Sequence, residues 1–409
     1  MHAADTSFSW STVSERRTEG GTLFDLRLIS QHWQGNKWEH HLLLFVPAAP
    51  LFPDTSLLVL REGLPGDGDA GALETTSNAT GTSAALFYGV PNQPLLGGLE
   101  EDALLAHTFS EYLRTGDDSW PLLFPMVKSV VRSIDTIQAL TADSSPIDRF
   151  IVAGHSKRGH TAWLSAAADP RIKGIIPLAI NVLNSPAQIA HHQEVTGGIG
   201  GSSSVFEETI QGADTPRGRC LIEMIDAYTY RDRLAAPKLI VLGTNDDYTP
   251  TDALNLYWPG LPGAKSVLYL ANTSHAGVDR HPDVNPTAFA FVRAVASGTS
   301  MPAITSEIEA ADGTATFRVT ANPAPVAARV WTSTSHNRDF RTSRWGEAVM
   351  RTARTMPAVG ATFRADLTLL STGSTAVFGE LEFEIESRRF TLSTQMHILP
   401  AEPVRPPSR

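Results

Sequence analysis

The stretch "FIVAGHSKRGHTAWLSAAADPRIKGIIPLAI" (150–180) carries Gly154-His155-Ser156 between an apolar run and helical text. A serine on a tight turn from strand to helix presents its hydroxyl outward, and a neighbouring glycine keeps the turn clear of a Cβ atom. This is the setting of a serine nucleophile, although a serine that merely caps a helix also favours such turns. The spacing departs from Gly-x-Ser-x-Gly, because Arg158 holds the second glycine position and Gly159 follows one residue later. A serine hydroxyl attacks poorly until a histidine takes its proton, and that histidine needs a carboxylate to fix its tautomer. "KLIVLGTNDDYTP" places Asp246 and Asp247 directly after one apolar run, and "SVLYLANTSHAG" places His275 after the next. If those runs are adjacent parallel strands, their terminal loops lie side by side. Ser156, one of the two aspartates and His275 are then the candidate nucleophile, acid and base.

The oxyanion of acyl transfer needs two preorganised N–H donors. One expected donor is the backbone of Lys157; the other is Gly63 or Leu64 in "REGLPGDG" (61–68). The Lys157 ammonium is a further candidate for holding that charge, with an ordinary surface lysine as the alternative. His155 and His160 are expected to line the pocket or pack. His191 and His192 occupy adjacent helix positions that point to different sides, so they do not make a metal site. No cofactor motif is present.

The elements that must position these residues are readable. "FDLRLIS" (24–30) and "HLLLFV" (41–46) read as an antiparallel pair, followed by apolar runs at 56–60, 83–88, 150–153, 174–180, 238–242 and 266–270. Most of these runs are separated by enough chain for a helix, and near-continuous apolar strands alternating with helices predict a mostly parallel sheet covered on both faces. Residues 100–116 and 125–142 show apolar spacing of three and four, as amphipathic helices do. Residues 181–235 interrupt the rhythm and read as an inserted helical cap, with "TGGIGGSSS" (196–204) as its flexible part. The nucleophile, acid, base order and this alternation predict an α/β-hydrolase domain over 1–298. Beyond it, alternating runs without helices predict an immunoglobulin-like β-sandwich over 299–400, a separate module, and a loose tail at 401–409.

Composition narrows the function classes. The 409 residues are 42% hydrophobic and 19% charged, with a formal net charge of -10, which disfavours a nucleic-acid surface and fits a small-molecule or peptide substrate. A single cysteine excludes an intrachain disulfide, a thiolate zinc site and a Cys-x-x-Cys redox pair. "MHAADTSFSW" lacks the basic start and apolar core of a secretory signal, and no apolar stretch is long enough to span a membrane. As written the chain is expected in the cytoplasm, or exported if a signal has been removed.

Longer motifs add a resemblance. "SQHWQGNKWEHHL", "VPNQPL" (90–95), "EDALLAHTFSEYLRTGDDSWPLLFPM" (101–126), "GHSKRGHTAW", "INVLN", "YTYRDRLAAPKLIVLGTND", "DALNLYWPGLPGAKSVLYLANTSH" and "NRDFR" resemble the PhoPQ-activated pathogenicity-related protein family. The resemblance implies an α/β-hydrolase fold with a C-terminal β-sandwich, Ser156 as nucleophile, Asp246 rather than Asp247 as acid and His275 as base. It also associates the chain with export and envelope stress. His160 and Ala162 stand where the family tends to have tryptophan and threonine, and "IDAYTY" (225–230) replaces an Asp-Pro-Tyr form.

The expectation is a serine hydrolase, an esterase or peptidase-like enzyme, that works through an acyl-enzyme. One alternative is a carbohydrate esterase acting on uronate or acetyl-sugar esters, since Ser156-Lys157-Arg158-Gly159 resembles the elbow of glucuronoyl esterases. The other is a non-catalytic binding or signalling protein that keeps the hydrolase shape as a scaffold.

Overall fold

The computed structural model describes residues 7–198, 201–356 and 360–401. Strands β1 (Ser9–Arg17), β2 (Gly21–Trp33) and β3 (Asn36–Pro47) form an antiparallel meander. Beside it run β4 (Thr55–Leu60), β5 (Ser83–Phe87), β6 (Arg149–His155), β7 (Ile172–Leu178), β8 (Lys238–Asn245) and β9 (Lys265–Ser274), mutually parallel in the order β5-β4-β6-β7-β8-β9. β1 lies ahead of the first expected strand. It is polar and mostly exposed, so only its pairing with β2 defines it, not an apolar run.

Side chains alternate across this sheet. Val152, Ile175 and Ile240 belong to one core, while Ile151, Ile176 and Leu239 belong to the core on the opposite face. Helix α1 (Asp69–Thr80) joins β4 to β5, and α2 (Glu101–Thr115) and α3 (Leu123–Thr141) lie between β5 and β6. α3 buries Met126, Val130, Ile134 and Ile137, one per turn, which is why its sequence reads as amphipathic. α1 buries only Leu73, Ser77 and Thr80, too weak an apolar stripe to be read from sequence. α4 (Lys157–Ala168) follows β6 and is buried almost throughout. Between β7 and β8 come α5 (Ser185–Thr196), the short α6 (Glu207–Gln211) and α7 (Pro216–Ile225), and α8 (Val284–Ser297) follows β9.

The change of sequence pattern at residue 298 is not a break in the sheet. The later strands are β10 (Ala303–Ala311), β11 (Thr314–Asn322), β12 (Ala327–Ser335), β13 (Gly346–Val349), β14 (Arg351–Met356), β15 (Gly360–Thr368), β16 (Ser374–Ile385), β17 (Arg388–Ser393) and β18 (His397–Pro400). Of these, β17, β16, β12, β13 and β18 extend the main sheet beyond β9. The junction pairs Ser393 with Val267, and Ser393 Oγ accepts the Tyr269 N–H at 3.0 Å. β10-β11-β15-β14 form a second sheet. It packs on β16, where a Cβ on Gly379 would come within 3.1 Å of Val319. Both cores cross the junction, since Phe378, Trp345 and Met396 join the first and Phe317, Val377 and Leu381 join the second. Apart from Ala401, the tail expected at 401–409 lies outside the described residues, as do Ile199 and Gly200 of the glycine-rich stretch.

Because both cores span the junction, the full chain is expected to unfold in a single urea transition. A 1–298 fragment, with those apolar faces bared, is expected to be recovered only as aggregate. A soluble, cooperatively unfolding fragment would show that the two parts are separately stable.

Candidate active site

Ser156 sits at the turn from β6 to α4 with φ 56 and ψ -127, a strained conformation for a residue with a side chain, costing on the order of 1–3 kcal/mol. Its N–H donates to Leu178 O of β7 at 2.8 Å, and its carbonyl accepts the His160 N–H at 3.0 Å. The glycine spacing has a steric cause. A Cβ on Gly154 would lie 2.5 Å from the Arg158 carbonyl, and one on Gly159 would lie 2.8 Å from Gly154 O and 2.8 Å from Ile180. The residue after Lys157 therefore need not be glycine; the close crossing of strand and helix is made by Gly154 and Gly159.

Asp246 and His275 emerge at the ends of the neighbouring strands β8 and β9. Asp246 Oδ2 accepts from His275 Nδ1 at 2.8 Å, and Oδ1 accepts the Tyr248 N–H at 2.9 Å. With Nδ1 donating to the carboxylate, Nε2 is left as a proton acceptor. The Tyr248 ring lies 4.4 Å from the His275 ring, and His155 Nε2 donates to His275 O at 2.9 Å. Burial pushes His155 below the usual imidazole range, which suits a neutral donor. Asp247 instead is exposed and accepts from the Ser202 hydroxyl. Ser156, Asp246 and His275 line one cavity. No hydrogen bond joins Ser156 Oγ to the His275 ring, and such contacts are commonly long until a substrate closes on them.

Lys157 departs from both expectations for its side chain. It is 5% exposed, and Nζ contacts Glu101 Oε2 at 2.5 Å and Asp102 Oδ1 at 2.8 Å. Arg158, equally buried, binds Glu101 at 2.5 Å and Glu62 at 2.8 Å. The positive charges of the elbow are thus spent on carboxylates of α2 and the β4 loop. Burial pushes Glu101 upward, but Arg158 and Lys157 outweigh it and hold the carboxyl at about 2. Tyr248 Oη donates to Asp102 at 2.6 Å, so the cluster runs on to the acid loop. Burial and Asp102 both push the Tyr248 phenol upward, keeping it a donor.

The Lys157 N–H belongs to the first turn of α4, where amides have no intrahelical acceptor, and Lys157 lines the cavity. Gly63 and Leu64 do not. Their loop meets the elbow through Glu62 and Arg158, and Leu64 is 72% exposed, so the second oxyanion donor is not found where it was expected.

The cavity, about 240 Å³, is walled chiefly by apolar side chains of α2 and the 181–235 segment, among them Leu105, Phe109, Ile189, Phe206, Ile210 and Ile222. Asp226 closes this segment on itself, accepting the N–H groups of Asn184 at 3.2 Å, Ser185 at 2.6 Å and Tyr228 at 2.9 Å. His160 bonds Ile225 O at 2.8 Å, tying α4 to the end of α7. His191 pairs with Asp252 at 2.7 Å, while His192 faces the cavity, so the two adjacent histidines do diverge. Reading for a triad alone passes over Glu101, Asp102 and Tyr248, although "ED" opens a predicted helix and Tyr248 follows Asp246 by two residues.

Two outcomes distinguish this ion cluster from an oxyanion-directed lysine. Lys157→Met leaves two carboxylates short of a cation and is expected to lower unfolding free energy by about 3 kcal/mol in urea titration. A lysine aimed only at substrate leaves that value unchanged. Glu101, depressed from its ordinary 4.5 to about 2, contributes stability that is complete above pH 4.5 and lost as pH falls toward 2. Glu101→Gln should flatten the acid limb of stability in that window by up to about 1.4 kcal/mol per pH unit, less for the screening of a carboxyl one-third exposed. An unchanged limb refutes the assignment.

Comparison with known proteins bears on the fold and the family. Autocrine proliferation repressor protein A of Dictyostelium discoideum is 27% identical over 373 residues, covering 83% of this chain and 75% of that one. Acetyl xylan esterase 1 from Thermoanaerobacterium sp. JW/SL YS485 superposes with a TM-score of 0.50 at 14% identity, over 72% of this chain and 89% of that one. The acetyl xylan esterase from Paenibacillus sp. R4 gives 0.49 at 15% identity, over 70% and 88%. At 14% identity the likeness to the Thermoanaerobacterium structure speaks for the α/β-hydrolase fold alone. The family model of the PhoPQ-activated pathogenicity-related proteins matches residues 1–341, and the chain belongs to that family.

Proposed function

We propose that this protein is a serine hydrolase that cleaves an uncharged ester or amide through an acyl-enzyme, with Ser156 as nucleophile, His275 as base and Asp246 as acid. The observation that carries the reading is the Asp246–His275 pair at 2.8 Å, opening into the same cavity as a serine held in a strained elbow. Ser156 Oγ attacks the substrate carbonyl carbon as His275 Nε2 takes its proton. The oxyanion meets the Lys157 N–H, and the bond to the leaving group breaks as His275 returns the proton to it. Water then attacks the acyl-serine, giving its proton to His275; the carboxylic acid departs and Ser156 regains its hydrogen. Asp246 holds the imidazole in one tautomer.

The walls favour an apolar acyl group. Lys157 and Arg158 are neutralised by Glu101, Asp102 and Glu62, so they offer little free charge to a uronate carboxylate. This weakens the carbohydrate-esterase reading, which leaned on the Ser-Lys-Arg-Gly sequence.

Fluorophosphonate treatment is expected to add one label, at Ser156, and Ser156→Ala to abolish both label and turnover of p-nitrophenyl esters. Asp246→Asn should lower kcat by about four orders of magnitude, and Asp247→Asn by less than about tenfold. In the same assay butyryl esters should exceed acetyl-sugar and uronate esters in kcat/KM. A label at another serine, or the reverse ranking of the aspartates, refutes the triad; faster turnover of uronate esters restores the carbohydrate reading.

A further inference from the structure

The acid and base leave the sheet where its ladder is irregular. The β8–β9 pairing shifts register between Gly243 and Asn245 and resumes with Asn245 opposite Ser274, the residues directly before Asp246 and His275. Another part of the chain braces this irregular end of the ladder. The segment 341–345, between β12 and β13, lies across both strand ends. Asn245 Nδ2 donates to Arg341 O at 3.0 Å and to Ser343 O at 2.8 Å. On the far side of the acid, the Arg341 guanidinium donates to Asp247 O at 3.1 Å. Both residues flanking Asp246 are therefore bonded to this segment.

The base strand is held in the same way. Asn272, in the left-handed region at φ 56, donates through Nδ2 to Trp345 O at 3.0 Å and accepts the Trp345 N–H at 2.9 Å. Thr244 closes the path between the strands, donating to Asn245 Oδ1 at 2.9 Å and accepting the Asn272 N–H at 2.9 Å. The segment is itself fixed. Trp345 is buried against Phe340 and Phe378, and Asp339 grips Arg341 at 2.9 and 2.7 Å.

We propose that residues 341–345 act as a clamp that sets the distance between the acid and base loops, with Asn245 and Asn272 as positioning residues for the Asp246–His275 pair. This rests on the triad reading above. It assigns the C-terminal strands a part in catalysis, delivered through a loop that hydrogen-bonds both residues flanking Asp246. A shift of a few tenths of an ångström at either asparagine loosens the carboxylate from the imidazole, and outer-shell partners of this kind commonly govern about ten- to a hundredfold in activity.

The test uses the full chain with Asn245→Ala and Asn272→Ala. The control is Asn255→Ala, which removes a bond of the same chemistry to Met396 O, 2.9 Å, joining the same parts of the molecule away from the triad. Reactive sites are counted with a fluorophosphonate, and kcat for p-nitrophenyl butyrate is expressed per titrated site, so misfolded protein does not enter the value. Asn245→Ala and Asn272→Ala are expected to lower kcat per site about ten- to a hundredfold with KM within about twofold. The acidic limb of the kcat profile should move to lower pH, because a carboxylate held farther away stabilises an imidazolium less. Asn255→Ala should keep kcat per site within about twofold of the unmodified chain. Equal kcat per site and an unmoved limb in the two clamp variants overturn the proposal, as does an equal loss in the control. If an asparagine variant does not fold, Arg341→Met keeps both backbone acceptors and removes the guanidinium bonds to Asp247 O and Asp339; a drop of about threefold or more per site supports the clamp and no drop overturns it. A wild-type chain that takes no label refutes the triad itself, and that outcome is visible before any variant is compared.

Discussion

The close crossing of β6 and α4 governs the arrangement around it. Two backbones approach until no Cβ fits at Gly154 or Gly159, and the turn between them forces Ser156 into a conformation that side chains avoid. Strain of that kind persists only where surroundings overdetermine it. Here the Leu178 carbonyl holds the Ser156 amide, and the helix beyond is buried on nearly every side. The same approach that exposes one hydroxyl therefore fixes α4 against β7, and with it the direction of the first-turn amides.

Burying α4 brings two cations under the surface, which is unfavourable unless each finds a carboxylate. The start of α2 supplies Glu101 and Asp102, and the β4 loop supplies Glu62. Gln93 holds Glu101 in turn, accepting its N–H at 2.8 Å and donating to its carboxylate at 2.6 Å. Through Tyr248 the cluster reaches the loop that carries Asp246. The ionic network is thus less a surface ornament than a connector between elbow, helix and acid loop, and it leaves the cavity walls to apolar groups.

The 181–235 segment and the C-terminal strands meet beside the loop that carries Asp246. Arg338 binds Asp252 at 3.0 Å and Glu194 of α5 at 3.3 Å, while Asp252 also pairs with His191. The 181–235 segment, the loop after β8 and the loop after β12 consequently share one set of charges. A chain whose pattern divides at residue 298 folds with its two parts interlocked at the place where its proposed chemistry occurs.

Most of the order of elements, and Ser156, the Asp246–Asp247 pair and His275 as candidates, were legible because they depend on local rules, while the choice of Asp246 rested on the family resemblance. Apolar runs of strand length, helical spacing and chain order are all properties of neighbouring residues. The elbow was readable even with its glycine displaced, since strand, turn and helix surrounded it. Tertiary structure alone decided the rest. Whether Lys157 faced substrate, water or a carboxylate depended on Glu101, 56 residues away, and periodicity carries no information about such pairs. Gly63 and Leu64 were placed by loop position, yet the Glu62–Arg158 contact determined where their loop lies. The C-terminal strands read as a separate module because alternation names strands but not their partners, and β17, which pairs with β16, also meets β9 at Ser393–Val267. Asn245 and Asn272 lie in quoted motifs that gave them no role; their meaning lies in backbone groups of residues 341–345, about a hundred positions downstream of the first and about seventy downstream of the second, which only folding brings within hydrogen-bond reach.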